Sequence, residues 1–247
     1  MIACAVAGFH HVLLLGPKGV GKSHALEWGV ALQPQMLPCD RLFHQLIEEL
    51  GSPGPRGENR DSWTEIRRVG AQTRVQALTG GVTGLGIFPG EFSLAHGGLL
   101  LADELPEWSR DSREVLREPL ERGWVTVNRV KGTFEFPAKF QLLANGNLCP
   151  CGGVPTQFPK GSLHALRDLQ RCRCRPAVRD AYISRLSGPI IDRIDITLLV
   201  CDLPKTSREV LPSEDRLKIL MEKTVKTRET LNKIYRDLPG QMEGDKV

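Results

Sequence analysis

An α/β fold, with a central parallel sheet between two layers of helices, is predicted by two observations. Short apolar runs of strand length alternate with segments of helical periodicity along most of the chain. The first such run, Val12 to Leu15, enters a glycine-rich turn that opens a helix, the context in which a phosphate-binding loop is expected. That turn reads Gly16-Pro17-Lys18-Gly19-Val20-Gly21-Lys22-Ser23, a complete G-x-x-x-x-G-K-[ST] motif. Its backbone N–H groups turn inward on a polyphosphate, Lys22 brings positive charge to the β and γ phosphates, and the Ser23 hydroxyl can hold Mg²⁺. The predicted nucleotide-binding set is Gly16, Pro17, Lys18, Gly19, Val20, Gly21, Lys22 and Ser23, with His24 beside them, and the predicted cofactors are ATP and Mg²⁺. The fold class is thus a three-layer P-loop core.

In chain order, the helix after the loop runs from Ser23 to Leu32, where Pro34 ends it, and aims its positive end at the phosphates. Asp40 to Leu50, with Leu42, Phe43, Leu46, Ile47 and Leu50 at helical spacing, predicts a second amphipathic helix. Gly51 to Gly57 is a loop by composition, and the Gly-rich, poorly periodic region of about 60–95 reads as an insert with some helix. Leu99 to Ala102 is an apolar strand running into Asp103 and Glu104. Ser109 caps a helix expected to reach Arg122, stopped by Gly123. Alternating residues around Lys131-Gly132 predict a hairpin over 124–136. Phe140 to Ala144 is another central strand, ending in Asn145-Gly146-Asn147, and Ile194 to Val200 is the last. The chain divides into a core over 1–203, with a Cys-rich loop over 149–175, and a charged helical segment over 204–247.

Bulk composition excludes other classes. The 247 residues are 40% hydrophobic and 25% charged, as in an ordinary globular protein, and no stretch approaches the roughly 20 apolar residues of a membrane span. Met1 to Ala7 is apolar but lacks the basic flank of a signal peptide, so a cytoplasmic location is expected. The net charge of +4 is too small to argue for nucleic acid. Seven cysteines, an odd number, argue against a disulfide framework in that compartment.

Two carboxylates at the end of a buried strand need a reason, because each would require a partner in the core. Downstream of a phosphate loop the reason is catalytic: Asp103 on the Mg²⁺ and Glu104 polarising the water that attacks the γ-phosphate. Asn147 and Asn145 both lie within reach of that water on spacing, and a plain turn is the competing reading. Cys149-Pro-Cys151 and Cys172-Arg-Cys174 gather four thiols, for which a structural tetrahedral Zn²⁺ is the commonest cause and four free thiols the alternative. Lys160, Arg167, Arg171, Arg173, Arg175 and Arg179 form a basic patch, suited to nucleic-acid phosphates, a subunit contact or a solvated face.

These strings resemble the magnesium chelatase-like AAA+ ATPases of the ComM (YifB) type. The resemblance rests on Ala7-Gly8-Phe9-His10 before the loop, Pro89-Gly90-Glu91-Phe92-Ser93-Leu94-Ala95-His96-Gly97-Gly98, Asp103-Glu104-Leu105-Pro106-Glu107, Leu116 to Glu121, the two Cys pairs, and Arg185 to Asp195. It implies an AAA+ core followed by a truncated C-terminal helical lid, and selects Asn147 over Asn145 as the sensor. It also implies that Arg193 acts in trans as an arginine finger; the competing reading is a salt bridge to Asp192 or Asp195, and Arg185 is a weaker candidate. A finger in trans requires a head-to-tail ring, which the resemblance makes a hexamer. It turns the 124–136 hairpin toward a central pore, with Arg129 and Lys131 as candidate DNA contacts. Departures include Leu148 for a proline, Val69-Gly70-Ala71 for a proline and two histidines, and an upstream adenine cradle and lid arginine outside the chain. The implied function is an ATP-driven ring motor that remodels DNA by branch migration or helicase-like action. The alternatives are the ATPase subunit of a metal chelatase and a nucleotide-gated scaffold with little turnover.

Overall fold

The structure, a computed structural model, describes residues 1–51, 64–83, 86–129, 132–153, 172–186, 188–200 and 214–237. A five-stranded parallel sheet forms its centre, in the order β2 (Ile66–Val69), β5 (Leu99–Ala102), β8 (Gln141–Gly146), β1 (Val12–Leu15), β9 (Ile196–Leu199). Two antiparallel hairpins accompany it, β3–β4 (Gly80–Thr83 and Gly86–Pro89) and β6–β7 (Trp124–Arg129 and Gly132–Pro137). Both faces of the sheet are covered at its centre, which is why β1, β5 and the middle of β8 read as unbroken apolar runs.

Alternation along the strands sorts their side chains into two cores. Leu13, Leu100, Ala102, Leu142 and Ala144 point to one face, where they meet Phe92, Leu105, Trp108, Leu116 and the inner face of the β6–β7 hairpin. Val12, Leu14, Leu99, Leu101 and Leu143 point to the other, packing with Ala5 of α1 (Ile2–Ala7) and Leu26 of α2 (Lys22–Ala31). The N-terminal apolar run is therefore a core helix. It is tied to the sheet by the fully buried Gln141, whose Nε2 donates to the carbonyls of Ala5 (2.9 Å) and His10 (2.8 Å).

The region expected to be an insert is not peripheral. Ile66–Val69 is an edge strand of the central sheet, and the Val69 carbonyl accepts the Asp103 N–H at 2.9 Å. Its arginines pair with neighbouring helices: Arg67 binds Glu91 of α5 (Glu91–Leu94) in a fork, at 2.7 and 3.0 Å, and Arg68 binds Glu27 of α2 in the same way. Gly80 and Gly90 are there for close backbone approach, since a Cβ on Gly90 would run into the backbone of Leu78 and Gly80 and one on Gly80 into that of Phe88 and Gly90. α3 (Pro38–Gly51) and α4 (Val75–Thr79) complete this side.

The helix expected over Ser109 to Arg122 is two, α6 (Arg110–Glu114) and α7 (Arg117–Arg122). Ser109 caps the first through the Ser112 N–H at 3.0 Å, and Gly123 stops the second at φ +72°. The break precedes Pro119, which has no N–H to give the Val115 carbonyl and whose ring crowds it. Strand β8 reaches Gly146, two residues beyond the expected end. After α8 (Pro176–Ile183), α9 (Gly188–Ile191) and β9, a 24-residue helix, α10 (Glu214–Asp237), docks on α1 through Arg228. The expected boundary near residue 203 lies outside the described residues. Among those described, no helix is long and apolar enough to cross a membrane.

Candidate functional site

Parallel strands deliver their carboxyl ends to one edge of the sheet, and β8 sits between β1 and β5 with Leu14 opposite Asn145 and Ala102 opposite Ala144. The phosphate-loop motif, the Asp103-Glu104 pair and the two asparagines thereby converge, although Lys22 and Asn147 are 125 residues apart and Asp103 and Asn145 are 42 apart. Such a crevice, outside the carboxyl ends of an open sheet, is where α/β folds bind ligands.

Gly19 and Gly21 adopt φ of +83° and +86°, and a Cβ on either would meet nothing within 4 Å. They turn the backbone rather than fill space, leaving an open cradle of amides of the kind that suits a polyphosphate. Lys22 opens α2 and is buried. Its three ammonium protons are matched by three acceptors: the carbonyls of Gly16 (2.8 Å) and Pro17 (2.7 Å) and Oδ1 of Asn147 (3.0 Å). Burial pushes its pKa down, and the charges of Glu104 and Asp103 oppose that shift. Ser23 and His24 are exposed at the start of α2, and His24 meets Trp28 edge to face. The cradle has the chemistry that a polyphosphate takes, and the exposed hydroxyl of Ser23 and carboxylate of Asp103 are oxygen donors of the kind that Mg²⁺ prefers.

Asn145 is the residue that the family resemblance passes over in favour of Asn147. It is 2% exposed, donates to Oδ1 of Asp103 (2.5 Å) and accepts the N–H of Glu104 (3.0 Å). Glu104 has φ +51° and ψ +47°, left-handed, in a side chain that pays for it. Among the described residues other than glycine, only Phe9 also has positive φ; strain of this kind collects at functional positions. The loop after Glu104 is built around Trp108, whose Nε1–H donates to the Asp103 carbonyl at 3.0 Å, and the buried Arg113, which donates to the carbonyls of Pro106 and Trp108. Gly146 admits this loop: a Cβ there would lie 2.7 Å from Cδ of Pro106. Trp108 and Arg113 carry no motif signal, since one looks like core and the other like surface.

Arg193 does not pair with Asp192 or Asp195. It donates to Glu121 and to the Pro189 carbonyl (2.6 Å), while Asp195 accepts the His11 N–H at 2.6 Å. Arg185 pairs with Glu107 at 3.2 Å and lies over the Tyr182 ring. Of the basic patch, Arg173 and Arg175 are exposed but Arg179 is buried on α8 and cannot meet a nucleic acid; Lys160, Arg167 and Arg171 lie outside the described residues. Arg129 ends β6, and Lys131 lies outside the described residues. Cys149, Cys151, Cys172 and Cys174 come together, all four Sγ atoms within 4.8 Å of one another.

The model of the family described as magnesium chelatase, subunit ChlI, matches residues 1–208. Among curated proteins, the chain is 34% identical over 208 residues to the competence protein ComM of Haemophilus influenzae, covering 83% of the chain and 37% of that protein. It is 34% identical over 213 residues to the uncharacterized protein YifB of Escherichia coli (84% and 38%), and 34% identical over 199 residues to an uncharacterized protein of Mycobacterium tuberculosis (79% and 36%). The chain thus spans little more than a third of the length of these relatives.

Proposed function

We propose, from the premise that the chain belongs to the magnesium chelatase, subunit ChlI, family, that this AAA+ module binds and hydrolyses ATP with Mg²⁺ as part of a ring-forming machine of the ComM type. One observation carries the reading: Lys22, Asn147, Asp103 and Glu104 gather at the ends of β1, β8 and β5, with Asn145 holding the Asp103 carboxylate and the Glu104 backbone N–H. Bound Mg²⁺–ATP supplies a γ-phosphoryl bond open to in-line attack by water. Lys22 offsets charge on the terminal phosphates from the floor of the loop. Glu104 receives the proton of the attacking water, its carboxylate aimed by a backbone that Asn145 fixes. Asn147 orients that water, and Ser23 and Asp103 hold the cation.

Arg193 completes a neighbouring subunit's site, which requires it to exchange Glu121 for a phosphoryl oxygen across a heterologous interface. Native mass measurement with ATP present, giving six copies, tests the ring; a monomer at all concentrations contradicts it. The decisive test of chemistry is Glu104→Gln, which is expected to bind ATP within about threefold of the unmodified protein while turnover falls by roughly 10²–10⁴. Undiminished hydrolysis would show that another group is the base.

For the substrate we favour DNA, on the exposed Arg173 and Arg175 and on the basic tip of the β6–β7 hairpin in the sequence, Arg129 and Lys131. ATPase activity should rise with DNA and lose that stimulation steeply as salt is added. The family description favours a second reading, in which the module remodels a partner protein as the ATPase subunit of a chelatase. Absence of stimulation by any DNA would select it.

A further inference from the structure

The sulfurs of Cys149 and Cys151 are 3.0 Å apart and those of Cys151 and Cys172 are 3.6 Å apart. Both separations exceed the roughly 2.05 Å of a disulfide. Four ligands about 2.3 Å from a tetrahedral Zn²⁺ would stand about 3.8 Å from one another, inside the range that the 4.8 Å limit allows. The N–H of Gly153 points at Sγ of Cys151, and that of Cys174 at Sγ of Cys172, each at 3.4 Å. Backbone donors of this sort stabilise thiolates and hold ligand sulfurs in orientation. With all four positions filled by protein, such a site is structural and has no opening for substrate.

The same turn touches the phosphate loop. Gly152 closes it by donating to the Cys149 carbonyl at 3.0 Å, and the Gly152 carbonyl accepts the Lys18 N–H at 2.8 Å. Gly152 has φ +72°, and a Cβ there would lie 2.9 Å from Cβ of Lys18, so only glycine brings this backbone so close. Upstream, the Gly16 N–H binds the Gly146 carbonyl at 3.2 Å and Lys22 binds Asn147. Residues 146–152 therefore hold the loop at three points, and the last is next to a ligand sulfur.

We propose that Cys149, Cys151, Cys172 and Cys174 bind one Zn²⁺, and that this metal keeps the phosphate loop in its nucleotide-binding shape by holding Gly152 against Lys18. The coupling rests on the reading of residues 16–23 as the nucleotide site; the metal site does not. Metal analysis of the purified full chain should find one zinc, with X-ray absorption giving four sulfur neighbours at about 2.3 Å. A fluorescent ATP analogue should bind about tenfold more weakly after chelation, the weight of one well-placed hydrogen bond, and Zn²⁺ alone should restore it. Gly152→Ala should show the same weakening with its zinc retained, which separates the coupling from any loss of fold in the stripped protein. Protein that holds no zinc, even when refolded with it, overturns the metal site. Undiminished nucleotide affinity in Gly152→Ala overturns the coupling. A full complement of zinc in a protein that binds no nucleotide at all would overturn the nucleotide reading and the coupling with it, leaving the tetrathiolate intact.

Discussion

Replacing Asn145 with alanine should release the Asp103 carboxylate and the Glu104 backbone from β8, and the size of the effect can be worked from its contacts. The variant loses the neutral bond to the Glu104 N–H, about 0.5–1.5 kcal/mol, and the bond to the Asp103 carboxylate, about 1.5 kcal/mol at the lower end of its class because Asp103 is exposed and water can replace the donor. The sum is about 2–3 kcal/mol, which for a chain of this size is a fall of about 4–12 °C in Tm. If the same energy is what keeps Glu104 in its left-handed backbone for the attack on water, turnover falls about 30- to 150-fold at 1.4 kcal/mol per decade. ATP affinity should change by less than about threefold, since Asn145 is not among the three acceptors of Lys22. Steady-state ATPase rates, equilibrium titration with a fluorescent ATP analogue and thermal melts read the three quantities separately. Asn145→Asp, which sets a second carboxylate 2.5 Å from Asp103, should be worse than alanine for turnover. An alanine variant as stable and as active as the unmodified protein would refute the positioning argument.

Arg193→Ala should lose about 10³-fold in turnover with ATP binding retained, and mixing it with Lys22→Ala subunits should recover activity, because the second subunit lends its arginine to the first; no recovery would place Arg193 in its own subunit's structure alone. Gly90→Ala should cost about 3 kcal/mol or more by denaturant titration, since the new Cβ meets backbone that cannot step aside. Arg228→Ala should speed hydrogen exchange in α10, as it removes the donors to Val6 and Ala7 and the stack on Phe9; the same burial holds the Arg228 pKa down to about 10. Stability should also fall as pH drops below 6.5. His11 and His96 each accept a backbone N–H on Nδ1, from Leu142 (3.0 Å) and Lys139 (3.1 Å), and burial holds both pKa values below 6.5, so the unfolded chain takes up protons that the folded one refuses. His96→Asn, which keeps an acceptor but cannot titrate, should flatten part of that slope between pH 8 and 5.

What the sequence made legible follows from where the information sits. Strands β1, β5 and β8 announce themselves because burial on both faces demands unbroken apolar runs, and Ser109 and Gly123 mark helix ends by local chemistry. The edge strand β2 does not, because Arg67 and Arg68 break its apolar pattern and find their partners 24 and 41 residues away. Pairing across such distances also explains why Asn145 and Asn147 could not be told apart by position. One faces the acids and the other the lysine, a distinction made by the register of β8 between its two neighbours. The partner of Arg193, Glu121, is 72 residues away on α7 and has no trace in the local sequence.

A crystal structure of the chain with Mg²⁺ and a non-hydrolysable ATP analogue would show whether residues 16–23 hold the nucleotide. The triphosphate should be wrapped by residues 16–23, with Lys22 Nζ moved from the Gly16 or Pro17 carbonyl onto a phosphate oxygen, the cation beside Ser23, and Glu104 facing the γ-phosphate. A nucleotide bound elsewhere, or one seated while Lys22 keeps all three of its protein acceptors, would contradict it.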